Sequence, residues 1–166
     1  MILALDIGGT SVKMGLADEQ GVLRERAEAD VSFDGYQTPV IDTVVQSAVQ
    51  FLARHNASVC GAGVSATGQI DDRSGVVIGA NGKIPHYEGT PIKAKLEQAL
   101  GVPVWALNDA NAAALGECFI GRGRGCRNAV LITLGTGVGG GLVLDGKIYS
   151  GVRGIAGELG HFTLYQ

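Results

Sequence analysis

The chain has 166 residues, of which 46% are hydrophobic and 17% are charged, and its formal net charge is −3. These values are typical of a compact globular domain and argue against intrinsic disorder. The acidic balance gives no indication of a surface for nucleic acid or anionic membranes. No apolar run approaches membrane-spanning length, and the first predicted strand follows Met1 directly, so we expect a cytoplasmic protein without a signal peptide.

The three cysteines, Cys60, Cys118 and Cys126, are odd in number and show no Cys-x-x-Cys spacing. This pattern argues against a disulfide scaffold and against a zinc site built from these thiols. We expect all three to be reduced structural residues.

Hydrophobic periodicity predicts alternating elements over the first 120 residues. In chain order these are strands at 2–7, 11–17 and 22–29, a helix at about 38–55, a strand at 59–66, a short ribbon at about 69–79, a helix at 91–100, a strand at 103–107 and a helix at 109–119. Three meandering strands followed by alternating helices and strands predict an α/β fold, with a mixed sheet and helices on both faces.

A connection rich in glycine and arginine, Gly121–Gly125, interrupts this pattern, and the chain resumes with the apolar run Ala129–Leu134. We predict a domain boundary there, with a first lobe at 1–120 and a second at 121–166. The residues of the second lobe are too few to enclose a core of their own. We therefore expect the second lobe to be incomplete.

The turn Asp6-Ile7-Gly8-Gly9-Thr10 joins the first two predicted strands. Glycines allow several backbone N–H groups to approach one anion, so this turn is a candidate phosphate-binding hairpin. Asp6 can hold Mg²⁺ through water, and Thr10 offers phosphate a hydroxyl and an N–H. A tight hairpin capped by Asp6 and Thr10 is the structural alternative. The candidate phosphate-site residues are Asp6, Gly8, Gly9, Thr10, Ser11 and Lys13.

A second glycine-rich turn, Leu134–Gly141, also lies between two apolar runs. It matches the dinucleotide-binding spacing Gly-x-Gly-x-x-Gly, but it leads into the strand-like run Leu142–Leu144 instead of a helix. A Walker-type loop is excluded as well, because Ile148 stands where a Ser or Thr is required. We therefore predict a second phosphate-binding hairpin, with Gly135, Thr136, Gly137, Gly139 and Gly140 as candidate ligands.

Asn108-Asp109-Ala110-Asn111 stands where a predicted strand ends and a helix begins. Open α/β sheets bind ligands at such strand ends. Asp109 is a candidate general base, and it is also a candidate N-cap of the helix. The two roles do not exclude each other, because a helix N-terminus favours the charged carboxylate that a base requires. Phosphoryl transfer depends more on the orientation of the base than on its strength.

Five motifs occur in the order found in ROK-family sugar kinases, and the match spans the whole chain. They are Asp6–Thr10, Asn108–Ala113, Gly121–Gly125, Leu134–Gly141 and Gly157–His161. The resemblance implies a ribonuclease H-like fold of the actin and hexokinase type. It also implies ATP with Mg²⁺ as the phosphoryl donor and the 6-hydroxyl of a hexose or amino-hexose as the usual acceptor.

The same resemblance implies roles for single residues. Asp109 matches the catalytic base and Asn108 a ligand of sugar hydroxyls. Further substrate contacts are implied for Asn81, Glu158, His161 and Gly68. The turn Ser65-Ala66-Thr67-Gly68 departs from the Pro-Gly turn of many relatives, which affects the floor of the sugar pocket.

His161 also matches the first ligand of the family's zinc site, but the cysteines that complete that site are absent from this sequence. Zinc is therefore expected only if such cysteines follow downstream. The family's adenosine-binding segments would lie downstream as well. We expect a fragment that forms a homo-oligomer or depends on a missing downstream lobe.

A sugar kinase is the leading interpretation. ROK repressors carry a winged-helix DNA-binding segment ahead of the same sugar-binding body, and the first strand here begins too early for one. A non-catalytic sugar- or nucleotide-binding fragment is the other alternative. Acceptors in the family include glucose, N-acetylmannosamine, fructose and β-glucosides. The presence of both Glu158 and His161 favours an aldohexose.

Overall fold

The computed structural model describes residues 1–80, 82, 84–135 and 137–161. Contacts along the chain divide it into two compact units, Met1–Leu107 and Asn108–Gln166. The elements before the boundary between the two units are, in chain order, β1 (Ile2–Ile7), β2 (Ser11–Ala17), β3 (Leu23–Asp30), α1 (Val40–Arg54), β4 (Gly61–Ala66), β5 (Gln69–Ile70), β6 (Val77–Gly79), α2 (Ile92–Leu100) and β7 (Val104–Asn108).

A five-stranded mixed sheet with the strand order β3-β2-β1-β4-β7 organises the first unit. Strands β1, β2 and β3 form the predicted antiparallel meander, and β4 pairs with β1 in parallel. The short strands β5 and β6 form the predicted antiparallel ribbon. The mixed sheet and its order along the chain are therefore confirmed.

The core of the first unit lies on one face of this sheet. Strand alternation puts the apolar residues of β1 and β2 on that face, where they pair in register, as Leu5 does with Met14. They are buried with one side of each helix, including Val44 and Phe51 of α1 and Leu96 of α2. The same alternation assigns Asp6 of β1 to the opposite face.

The two helices begin and end at residues that the sequence marks for those positions. Pro39 precedes α1 and Pro91 precedes α2, where the absence of an N–H has no cost. Helix α2 ends at Gly101, which adopts the left-handed conformation with φ 67°. Among the described residues, no helix is long and apolar enough to cross a membrane.

The second unit contains α3 (Asp109–Phe119), β8 (Ala129–Leu134), β9 (Val138–Leu144), β10 (Lys147–Ile148) and a short 3₁₀ turn, Leu159–His161. The strands form an antiparallel sheet in the order β10-β9-β8. Helix α3 contacts all three strands. Because of these contacts, the division of the chain precedes α3, whereas the boundary predicted at residue 121 assigned this helix to the first lobe.

One face of β8 carries exposed apolar side chains. Val130 is 63% exposed, Ile132 57% and Leu134 81%. These alternate residues project from the same face of the strand, and a contiguous apolar surface of this kind is unusual for a monomer. The observation agrees with an incomplete second lobe.

We predict that the 166-residue chain self-associates through this face of β8. Val130→Lys should shift the sedimentation coefficient toward that of a monomer, because it places a charge inside the apolar face. Val49→Lys is the matched control, since Val49 is 44% exposed on α1 and lies outside that face. A stable monomer of the unsubstituted chain at all concentrations would contradict the prediction.

Candidate active site

The junction between β7 and α3 is closed by the side chain of Asn108. Its Oδ1 accepts hydrogen bonds from the N–H groups of Ala110 at 3.0 Å and Asn111 at 3.3 Å. These bonds satisfy two of the unpaired donors of the first helical turn, which makes Asn108 the N-cap. The N-cap alternative for Asp109 is therefore wrong, because Asp109 is the first residue within the helix.

The two carboxylate oxygens of Asp109 have different surroundings. Oδ1 accepts hydrogen bonds from the N–H of Ala110 at 2.8 Å and from Nδ2 of Asn108 at 3.0 Å. Within the described ranges, Oδ2 accepts no hydrogen bond, and the side chain is exposed. One oxygen therefore fixes the orientation of the carboxylate, while the other is available to a ligand.

Asp109 lines a cavity of about 460 Å³ together with the hairpin that connects β8 to β9. The other lining residues are Ala110, Thr133, Leu134, Gly135, Gly137, Val138 and Gly139. The N–H of Gly135 donates to the carbonyl of Gly137 at 3.0 Å and closes the turn. The structure thus brings the predicted base and three of the predicted phosphate ligands to one cavity. Thr136, also predicted as a ligand, lies outside the described residues.

The glycine-rich turn is shorter than the sequence predicts. Gly139, Gly140 and Gly141 belong to β9, where they permit close packing. A Cβ atom at Gly139 would lie 2.6 Å from Oγ1 of Thr133, and one at Gly141 would lie 2.6 Å from Cβ of Ala114. Both contacts are too short for real Cβ atoms. Gly139 still lines the cavity, whereas Gly140 lies under the segment that carries Glu158.

Glu158 and His161 lie close together at the end of the described chain. Nε2 of His161 is 3.6 Å from Oε2 of Glu158, and the two side chains are 85% and 34% exposed. The described part of the chain contains no group of three His, Cys, Asp or Glu side chains that could hold a metal ion. The donor set around His161 in these residues therefore does not fit zinc.

In the first unit, the turn between β1 and β2 is held from two sides. The N–H of Gly8 donates to the carbonyl of Ser11 at 2.9 Å. From the loop after β3, the Tyr36 hydroxyl donates to the carbonyl of Gly9 at 2.8 Å. Tyr36 adopts φ 64°, which is rare for a residue other than glycine. Sequence reasoning missed this residue, because nothing local marks a tyrosine for that conformation.

Asp6 and Lys13 face each other across β1 and β2. Oδ1 of Asp6 accepts a hydrogen bond from Oγ of Ser65 at 2.8 Å, and Nζ of Lys13 is 3.7 Å from Oδ2. The Asp6 side chain is half exposed. A single accessible carboxylate fits Mg²⁺ that is held largely through water and phosphate oxygens.

The remaining predicted site residues that the structure describes in the first unit include Thr10, Ser11 and Gly68. Thr10 and Ser11 line a cavity of about 350 Å³ with two acidic residues, Glu28 and Asp30, and the Ser11 hydroxyl donates to Oε1 of Glu28 at 2.6 Å. Gly68 has φ 89°, and a Cβ atom there would lie 2.8 Å from the carbonyl oxygen of Gly79. The substrate contact predicted at Asn81 lies outside the described residues.

We predict that Asn108→Ala lowers the free energy of unfolding by about 1 kcal/mol, because it removes the helix cap. Asn108→Ser should restore most of the loss, since a serine hydroxyl can accept the same N–H bonds. Urea denaturation of the three chains measures the effect. Equal stability of the alanine and asparagine forms would show that the cap contributes nothing.

Comparison with known proteins gives relatives along almost the whole chain. The glucokinase of Halalkalibacterium halodurans is 37% identical over 165 residues, which cover 98% of this chain and 49% of the relative. The chain therefore spans about half the length of the curated relatives that it matches.

Comparison with solved structures also gives ROK-family proteins. A ROK-family glucokinase from Streptomyces griseus, in complex with glucose and AMPPNP, has a TM-score of 0.80 and 34% identity over 99% of this chain and 51% of that one. A ROK-family transcriptional regulator, a homologue of the E. coli MLC protein, has a TM-score of 0.86 and 26% identity over 99% of this chain and 41% of that one. Residues 2–166 match the ROK family, and the chain belongs to that family, with its actin- and hexokinase-like fold.

Proposed function

We propose that this chain carries the catalytic base and phosphate turns of an ATP-dependent sugar kinase that phosphorylates a hexose or amino-hexose at its 6-hydroxyl. The observation that carries the proposal is the cavity that Asp109 lines together with Gly135 and Gly137. A kinase must bring a proton acceptor and a phosphate cradle to the same reacting atoms. The second unit offers a candidate for each, Asp109 and the turn between β8 and β9.

In the proposed reaction, Oδ2 of Asp109 accepts the proton of the acceptor hydroxyl. The hydroxyl oxygen forms a bond to the γ-phosphorus of ATP while the bond between that phosphorus and the β–γ bridging oxygen breaks, which yields sugar phosphate and ADP. Oδ1 stays bonded to Asn108 and Ala110, so the carboxylate keeps its orientation. The transition state is loose, and positioning therefore contributes more than the strength of the base.

Each glycine-rich turn is considered by itself as a candidate phosphate ligand, through its backbone N–H groups. In the second unit we assign this role to Gly137 and Thr136, because the N–H of Gly135 is already bonded within the turn. In the first unit the candidates are Gly9, Thr10, Ser11 and Lys13, whereas the N–H of Gly8, also predicted as a ligand, is already bonded to the carbonyl of Ser11. Asp6 would hold Mg²⁺ through water, and the ion would neutralise charge on the phosphates.

For the acceptor, we propose Glu158 and His161 as ligands of sugar hydroxyls. Their side chains are close enough to share one polyol, and both are at least partly exposed. Asn108 is a third candidate, although its Oδ1 already serves as the helix cap. Asn81 and Gly68 remain candidates by resemblance. Together, Glu158 and His161 favour an aldohexose.

A regulator that binds sugar without turnover is the second candidate, since the ROK transcriptional regulator is also a structural relative. The free Oδ2 of Asp109 beside the phosphate turn favours the kinase, because a protein that only binds sugar needs no proton acceptor at that place. A non-catalytic fragment remains the alternative for the 166 residues alone.

A coupled ATPase assay with a panel of hexoses tests the proposal, run on this chain and on a form extended downstream. We expect hexose-dependent ADP release from the extended form and slow turnover from the 166 residues, which span about half the length of the glucokinase that they match. Phosphorus NMR of the product should show a 6-phosphate. Sugar binding without ADP release from either form would support the regulator instead.

In the active form, Asp109→Asn should lower kcat at least about 100-fold with little change in sugar affinity, because it removes the general base. The substituted amide can still accept the bonds from Ala110 and Asn108 through its oxygen, so the local structure should persist. Steady-state kinetics and sugar titration give the two values. Turnover close to that of the unsubstituted enzyme would remove Asp109 from the mechanism.

Gly137→Val should raise the KM for ATP at least about 10-fold, because the side chain would block the approach of phosphate to the turn. A Cβ atom at Gly137 meets nothing within 4 Å, so the fold should tolerate the change. Gly137→Ala is expected to have a smaller effect in the same direction. An unchanged KM and kcat with valine, at an unchanged Tm, would exclude this turn from phosphate binding.

A further inference from the structure

The segment that carries Glu158 and His161 lies directly on strand β9 through two glycines. A Cβ atom at Gly157 would collide with the carbonyl oxygen of Gly140, and one at Gly160 would collide with the carbonyl oxygen of Val138. The contact is reciprocal, because a Cβ atom at Gly140 would lie 2.8 Å from the carbonyl oxygen of Gly157. Two stretches of backbone therefore touch without side chains between them.

The order of these contacts shows in which direction the segment runs along β9. Position 157 meets β9 at residue 140, and position 160 meets it at residue 138. The segment therefore runs antiparallel to β9 and toward the turn at 135–137 that lines the cavity. Leu159, between the two contacts, covers Gly140, where a Cβ atom would lie 2.5 Å from its Cδ1.

Helix α3 forms a third side of the same contact. Asn111 is buried, and its Oδ1 has no hydrogen-bond partner among the residues that the structure describes. The position of a Cβ atom at Gly157 would be 3.2 Å from that oxygen. A larger residue at 157 would therefore have to displace β9 or the helix that carries Asp109.

The backbone conformation does not itself require glycine at these two positions. Gly151 and Gly154, earlier in the same loop, have positive φ values of 71° and 72°, but Gly157 and Gly160 are not among the glycines with positive φ. What excludes a side chain at 157 and 160 is the close approach to β9.

We propose that Gly157 and Gly160 are positioning residues that set the distance between the sugar-binding side chains and the phosphate turn. The inference rests on the proposed function, since it assigns Glu158 and His161 to a hexose. Because the segment and the turn share strand β9, the acceptor hydroxyl and the donor phosphate are aligned by the same strand. A displacement of about 1 Å at such a site can cost about 100-fold in rate.

Gly160→Ala and Gly157→Ala test the proposal in the form of the protein that phosphorylates a hexose. We expect the KM for the hexose to rise at least about 10-fold, while the KM for ATP changes by less than about twofold. Gly116→Ala is the matched control, because Gly116 lies in α3 and a Cβ atom there meets nothing within 4 Å. A purely structural role would lower the folded fraction and leave both KM values unchanged.

Leu159→Ala provides a variant that adds no bulk, and it should also raise the KM for the hexose. Amide exchange in the 166-residue chain gives a readout that is independent of activity. The N–H of Glu158 donates to Ile155 at 3.0 Å and that of His161 donates to Glu158 at 3.2 Å. Both should exchange faster in Gly160→Ala than in Gly116→Ala.

The experiments distinguish a failure of the proposed function from a failure of the positioning role. If no form of the unsubstituted protein phosphorylates a hexose, the proposed function fails and the positioning role fails with it, and faster amide exchange in Gly160→Ala then shows only that glycine holds the segment on β9. If Gly160→Ala exchanges its amides as the control does, or if folded Gly160→Ala and Leu159→Ala retain the original KM for the hexose, the positioning role is wrong.

Discussion

The hydrogen bonds of Asn108 at the start of α3 are the constraint on which the candidate site depends. They close the first turn of the helix immediately after β7, with no intervening loop, and they leave Asp109 as the first helical residue. The same asparagine then donates to Oδ1 of Asp109. One side chain thus caps the helix and orients the carboxylate of Asp109, which lines the cavity beside the turn between β8 and β9.

The glycines of β9 bring the rest of the second unit close to that helix. Glycine in the interior of a strand costs about 0.5–1 kcal/mol relative to alanine, so Gly139–Gly141 weaken β9 as an isolated strand. Alanine would not fit, because Gly141 packs against Ala114 of α3 and Gly140 lies beneath Leu159. Pairing with β8 and packing on α3 compensate for this weakness. The strand is therefore specified by its neighbours more than by its own propensity.

Much of the fold could be predicted because its signals are local. Alternating apolar residues set β1 and β2, and Pro39 and Pro91 mark the helix starts to within two residues. The failures involve information that is not local. A run of glycines is typical of a turn, and only the approach of α3 and Leu159 shows why Gly139–Gly141 continue as a strand. Asn108 and Asp109 are both good N-caps, and the hydrogen bonds decide between them.

In the proposed kinase, Asp109 and the turn between β8 and β9 act on the same pair of reacting atoms, the acceptor hydroxyl oxygen and the γ-phosphorus. A crystal structure of the active form with AMPPNP and the preferred hexose tests it most directly. We expect Oδ2 of Asp109 to lie within about 2.5–3.0 Å of the acceptor hydroxyl oxygen, with the terminal phosphate bound by the N–H groups of this turn. A terminal phosphate bound away from this turn, or an acceptor hydroxyl out of reach of Asp109, would show that the two do not act on the same atoms.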